Sequence, residues 1–273
     1  MSFLVLLLVL WVEKFSAGRR RIQQDGLWLG WLARVEEGSP WRALGLLVLL
    51  PTLLLGLLLL ALEPLAYGWL ALPVHLLVLV YSLGRGDVLV ALGPFRDAWR
   101  RGDEQAALHV AERDLGLAAD GEAELLERVQ DYELWQAYQG FFAVIFWYAL
   151  LGPLPALAYR LLALSAEHAS QPGIRERAAQ LRHALDWLPV RVLAASFALV
   201  GNFAAVSRAV LHDLLAWDVP AARLVAAAGR AAGELPEPQP GEAGVESLDE
   251  LWQLLIRAAV LWYAAFALWI LLL

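Results

Sequence analysis

The sequence predicts an all-α polytopic membrane protein with about four to five membrane-embedded helices, some of them broken or re-entrant, and a helical cytoplasmic region. Three observations lead there. Hydrophobic residues make up 60% of the 273 and charged residues only 18%, against about 45–50% and 25% in a soluble domain. The surplus is gathered in blocks: Ala43 to Leu62, Tyr67 to Leu83, Phe141 to Leu151 with its continuation, Leu188 to Val206, and Leu251 to Leu273. Two stretches, Phe141 to Arg160 and Leu185 to Val206, are each interrupted by proline and each carry one arginine.

Taken in order, the chain divides into five regions. Residues 1–83 hold the N-terminal membrane helices and a basic loop. MSFLVLLLVLWVEKF lacks the basic start and the cleavage site of a signal peptide, so it is expected as a retained short helix. Lys14, Arg19, Arg20, Arg21, Arg34 and Arg42 follow it, and the positive-inside rule puts this loop in the cytoplasm. Ala43 to Leu62 then runs outward, the turn at Glu63, Pro64 and Gly68 carries no basic residue, and Tyr67 to Leu83 returns. At 1.5 Å per residue the returning block is about 25 Å long and the C-terminal one about 34 Å, against a bilayer core of about 30 Å.

Residues 84–133 form the cytoplasmic helical region. DEQAALHVAERDLG and GEAELLERVQDYELW both repeat apolar residues every three or four positions, and the second meets no breaker before Gly140. Residues 134–217 are the membrane-embedded broken-helix region. Gly152 to Pro155, GPLP, removes two backbone donors in three residues, which breaks or sharply kinks a helix. Two half-helices meeting there would make a re-entrant hairpin, and a full crossing followed by a short return helix is the alternative. Ser165 to Ala184 reads as polar and cytoplasmic, with Pro172-Gly173 as a turn. Residues 218–250 combine the helical AARLVAAAGRAAG with the linker GELPEPQPGEAGVES, whose composition predicts mobility. Residues 251–273 are the C-terminal transmembrane helix. Arg257 can snorkel from it, and Trp252, Trp262 and Trp269 can serve as interfacial anchors.

Composition also excludes function classes. With no cysteine, thiol nucleophiles, zinc-thiolate sites and iron-sulfur clusters are ruled out. The net charge of −7 argues against nucleic acid as a partner. Lys14 is the only lysine, so neither a Walker phosphate loop nor a Schiff-base site is present. His109 and Glu112 have metal-ligand spacing but no second pair accompanies them, so a solvated helix face is expected, with no metal and no cofactor. Catalytic residues are not assigned.

The candidate ligand-binding residues are Arg160, Arg191, Tyr159, Asp186, Asp131 and Glu133. A charge at bilayer depth costs roughly 2.5 to 3.5 kcal/mol on insertion scales, so Arg160 and Arg191 must reach water, headgroups or a partner. Either each snorkels to the interface, or both face one cavity and bind an anion such as a phosphate, a carboxylate or a lipid headgroup. Asp186 could instead pair with one of them. Asp131 and Glu133 end an acidic helix face near the expected membrane entry.

The segment FFAVIFWYALLGPLPALAYR followed by LDWLPVRVLAA resembles the AmpE family of bacterial inner-membrane proteins, a branch of the CobD/CbiB superfamily. The likeness is strongest at Ala143 to Trp147, Gly152-Pro153, Tyr159-Arg160 and Pro189 with Arg191. It implies a multi-pass signalling modulator linked to β-lactamase induction and cell-wall recycling, with no established reaction. The cobalamin branch, which contains adenosylcobinamide-phosphate synthase, is an amide ligase. The acidic and amide positions of that branch fall here on Asp131-Tyr132, Trp135-Gln136, Gln139-Gly140, Ala163 and Arg182-His183, so most of its polar groups are absent. The expected partners are the bilayer, an anionic cell-wall-derived or lipid ligand, and a second copy of the chain in a homodimer. A residual amide-ligase-type enzyme is the alternative.

Overall fold

The computed structural model describes residues 5, 6, 8, 23, 25–35, 38–64, 69–84, 88–235 and 241–272. Among them there is no strand. The helices are α1 (Gly26–Val35), α2 (Pro40–Leu62), α3 (Ala71–Ser82), α4 (Val88–Arg100), α5 (Glu104–Val110), α6 (Glu122–Leu151), α7 (Pro153–His168), α8 (Pro172–Val200), α9 (Phe203–Val210), α10 (Ala221–Gly233) and α11 (Glu242–Leu272). Of these, α2, α6, α8 and α11 are long and apolar enough to cross a membrane, and α3 is a shorter apolar helix. The protein is thus an all-α, multi-pass membrane protein. The basic residues Lys14, Arg19, Arg20 and Arg21 and most of the expected first helix lie outside the described residues.

The chain forms two compact units. Unit 1 comprises residues 1–85, 143–186 and 266–273. Its core joins Trp28 and Leu32 of α1, Leu44 and Leu47 of α2, Leu161 and Leu164 of α7, and Ile174 and Ala178 of α8. Helix α2 buries little else. Leu46, Leu49, Leu53, Leu57 and Leu60 are exposed at three- and four-residue spacing, the stripe expected of a face turned to lipid. Unit 2 comprises residues 86–142 and 187–265. Phe95 and Trp99 of α4, Ala107 of α5, Leu125 and Val129 of α6, and Val245 and Leu248 of α11 form its core.

Several sequence signals act where expected. Asp103 caps α5 by accepting from the Ala106 amide at 3.0 Å. A π-helical turn, Ala111–Leu115, extends α5 and stops at left-handed Gly116. Helix α6 runs unbroken for 30 residues through another π-helical turn, Tyr138–Phe142, which is ample to cross before the GPLP break. Gly152 makes that break at φ +86, a value that side-chain-bearing residues rarely adopt. Pro153 then occupies the first position of α7, where its missing N–H costs nothing.

Two expectations are corrected. Residues 172–184, read as a polar segment with a Pro172-Gly173 turn, are the first half of α8, because the turn falls at residues 169–171 and Pro172 opens the helix. The linker reading of 233–247 also gives way in part. Helix α11 begins at Glu242, and Val245 and Leu248 are fully buried, so this acidic stretch does contribute to a core. Residues 236–240 of that linker lie outside the described set.

Helix α8 also passes through Pro189 without breaking. A proline leaves the carbonyl four residues earlier without its helical donor, here Leu185. The Trp147 indole N–H fills the gap, donating to the Leu185 carbonyl at 3.2 Å. Trp147→Phe is expected to destabilise the protein by about 1 kcal/mol, whereas the same change in a Pro189→Ala background should be nearly silent. Thermal unfolding in detergent of the single and double variants measures the coupling.

Candidate functional site

The candidate residues divide between the two units. In unit 1, Tyr159, Arg160 and Asp186 join one polar cluster with Asp25, Tyr81 and Arg182, mostly buried and reaching the surface at Glu167. Helix α7 carries Tyr159 and Arg160 at adjacent positions, and α8 presents Arg182 and Asp186 one turn apart. The Tyr159 hydroxyl donates to the Asp186 carboxylate at 2.8 Å, and Arg182 lies 3.6 Å from that carboxylate and 3.4 Å from Glu167. Tyr159, Arg182 and Asp186 are all buried. Asp25, just before α1, accepts from the Tyr81 hydroxyl at 3.3 Å. Gln23 beside it donates to the carbonyls of Val80 and Leu83 at the end of α3, at 2.9 and 3.3 Å.

Arg160 stands apart within this cluster. Its side chain is 12% exposed and reaches Asp25 only at 3.8 Å, beyond hydrogen-bonding distance. Its Nε is buried without a hydrogen-bond partner among the described residues. A guanidinium offers five N–H donors in a fixed fork, so this one holds unused capacity for a planar or tetrahedral anion.

Arg191, in unit 2, is fully engaged. It donates to the main-chain carbonyls of Trp187 at 2.6 Å, Ala216 at 2.7 Å and Leu214, and it lies 4.1 Å from the centre of the Trp187 ring. Its task there is to satisfy backbone. Asp131 pairs with Arg230 at 2.9 Å, and Glu127, one turn earlier on α6, shares that arginine at 2.5 Å.

Glu133 is the outlier of unit 2. It is fully buried, and neither carboxyl oxygen has a hydrogen-bond partner among the described residues. The charges in electrostatic reach are Arg96 of α4 and Asp249 of α11, which pair with each other. An open groove of about 1000 Å³ in the same unit is lined by Asn202, Glu234, Glu246, Asp249, Glu250 and Arg257. Among the described residues no group of three or more histidine, aspartate or glutamate side chains is placed to hold a metal ion.

Asp25, Tyr81, Glu167 and Arg182 were not singled out as ligand candidates. The Arg182–Asp186 spacing of four on one helix was a usable signal, but nothing local ties Asp25 to a residue 135 positions later.

The profile of the regulatory signalling modulator protein AmpE matches residues 1–219. The chain belongs to the AmpE family. Protein AmpE of Shigella flexneri is 27% identical over 218 residues, which cover 74% of this chain and 75% of that protein. No solved structure matches the chain. The matched stretch holds the candidate residues of this AmpE-family chain, including Arg160, Arg191 and Glu133, and ends before α10 and α11.

Glu133 gives a direct test of the unit-2 charges. Neither Glu133 oxygen has a partner to lose among the described residues, so Arg96→Ala should cost only about 1 kcal/mol or less, through the half-exposed bond to Asp249. Glu133→Leu removes an unmet buried polar group and should leave the protein as stable or more stable, and the two effects should add in the double variant. Denaturation of the four proteins in mild detergent reads this cycle.

Proposed function

We propose that this AmpE-family protein acts in the bacterial inner membrane as a non-catalytic regulatory modulator, linked to β-lactamase induction and cell-wall recycling, that binds an anionic ligand through Arg160. The carrying observation is the buried Arg160 guanidinium, whose Nε has no hydrogen-bond partner among the described residues and whose nearest carboxylate stands at 3.8 Å. A desolvated cation in that condition gains most from an incoming phosphate or carboxylate, and the surrounding groups limit its options. Asp186 is occupied by Tyr159 and Arg182, and Asp25 already accepts from Tyr81. The binding role therefore narrows from the six candidates to Arg160, with Tyr159 and Asp186 as the wall that positions α7 against α8.

The amide-ligase alternative draws less support. It would need Asp131, Glu133 and Asp186 for metal or acid-base work, and both aspartates are committed to ion pairs or hydrogen bonds inside the fold.

The test uses purified protein in detergent with inorganic phosphate as the probe. An anion at ten times its Kd stabilises by about 1.4 kcal/mol, a rise in Tm of about 3 °C at this size. The wild type should show that rise. Arg160→Lys, which keeps the charge and loses the fork, should show little of it, and Arg160→Ala none. A β-lactamase induction reporter in cells should follow the same order. Equal phosphate response and equal induction in all three proteins would remove Arg160 from the function.

A further inference from the structure

The chain that follows α8 doubles back along it. Helix α8 ends at Val200, Gly201 and Asn202 turn the chain, and α9 begins at Phe203. The turn is tight. A Cβ on Gly201 would lie 2.6 Å from the Ala232 carbonyl oxygen, the Asn202 amide donates to that same carbonyl at 3.2 Å, and the Asn202 side chain caps α9 by accepting from Ala205 at 2.9 Å.

Arg191 fixes how far the chain returns. It lies nine residues before the end of α8, about 13 Å along the axis, yet it binds the carbonyls of Leu214 and Ala216. One turn further back, the Trp187 ring stacks with Trp217 at a centroid distance of 6.3 Å. The excursion from 201 to 217 therefore descends beside the apolar half of a helix able to cross a membrane.

Its outward side is rich in large apolar residues, with two polar interruptions: His212, and Arg208, whose guanidinium reaches back towards the end of α8 to the Ala204 carbonyl at 3.2 Å. Val206 and Val210 of α9 are buried, whereas Phe203, Leu211, Leu215 and Trp217 are 52–79% exposed. Leu199, near the end of α8, is also 71% exposed. The one carboxylate in the segment, Asp213, is paired with Arg223 at 3.5 Å. Residues 211–215 are hydrogen-bonded turn and not regular helix. Irregular backbone persists at bilayer depth only when protein groups satisfy it, and Arg191 does so.

We propose that residues 201–217 form the entering limb of a re-entrant membrane hairpin, with α10 as the returning limb, whose outer residues Leu211, Leu215 and Trp217 lie against lipid acyl chains and whose tip Arg191 clamps. Arg191 then pays for its own burial by bonding the Leu214 and Ala216 carbonyls, which lie outside regular helix and which lipid would leave unmet.

The chain has no cysteine, so single-cysteine variants report cleanly. Leu211→Cys and Leu215→Cys are placed at exposed positions, and Glu246→Cys in the open groove serves as the aqueous control. The purified full chain is reconstituted in phosphatidylcholine–phosphatidylglycerol vesicles with a membrane-impermeant maleimide on both sides. The thiols of the two leucine variants should react at least tenfold more slowly than that of the Glu246→Cys control and recover in detergent. A fluorophore attached to the Leu215→Cys variant in detergent, before reconstitution, should be quenched by brominated acyl chains. Adding Arg191→Gln to the Leu215→Cys variant should restore its aqueous labelling by freeing the tip. Labelling of both leucine variants as fast as the control overturns the proposal, and so does protection without quenching, which would mean cover by protein such as a second copy. If the Arg191→Gln, Leu215→Cys double variant stays protected and quenched, the clamp is overturned.

Discussion

A main-chain carbonyl in hydrocarbon has no water to turn to, and much of this structure follows from meeting that demand with side chains. Trp147 supplies the donor that Pro189 withholds from Leu185. Arg191 supplies three carbonyls at once, two of them in a non-helical turn. Gln23 gathers the open carbonyls at the end of α3, and Arg257 reaches the Val200 carbonyl where α8 ends, at 3.1 Å. Ser82, Ser165 and Ser196 solve the converse problem, placing their own hydroxyl donors on helical carbonyls one turn earlier. A few polar side chains thereby make broken helices tolerable in a bilayer.

The two arginines that stood out in the sequence part company on this point. Both carry a charge into an apolar stretch. Arg191 resolves the cost with backbone, which makes it architecture. Arg160 is left with a distant carboxylate and an Nε that has no hydrogen-bond partner among the described residues, which is why the proposed anion site is placed there. Identical side chains with similar local sequence thus reach different roles, because the decision lies with whichever carbonyls the tertiary fold brings near.

What was legible in the sequence follows from how local each cause is. The apolar blocks of α2 and α11, the GPLP break at Gly152 and the helical periodicity of 104–133 depend on neighbours within one or two turns, and each appears where the pattern put it. The Leu188 to Val206 block is instead cut at Gly201-Asn202, and of the Tyr67 to Leu83 block only Ala71–Ser82 is a described helix, shorter than a span. The continuity of α8 was hidden because the repair of Pro189 comes from 38 residues away. The early start of α11 was hidden because Val245 and Leu248 are two apolar residues in an acidic stretch, and only the core of unit 2 gives them something to bury against. The pairing of Asp25 with Arg160 has no local sign at all.

Trp147 and Pro189 carry an evolutionary consequence. The indole is needed only while the proline is present, and the proline is harmless only while the indole is present. Neither can drift alone without leaving either an unmet carbonyl or a donor with nothing to bond. In relatives the two positions should therefore change together, so that a lineage that trades the proline for an ordinary helix former is also released to replace the tryptophan.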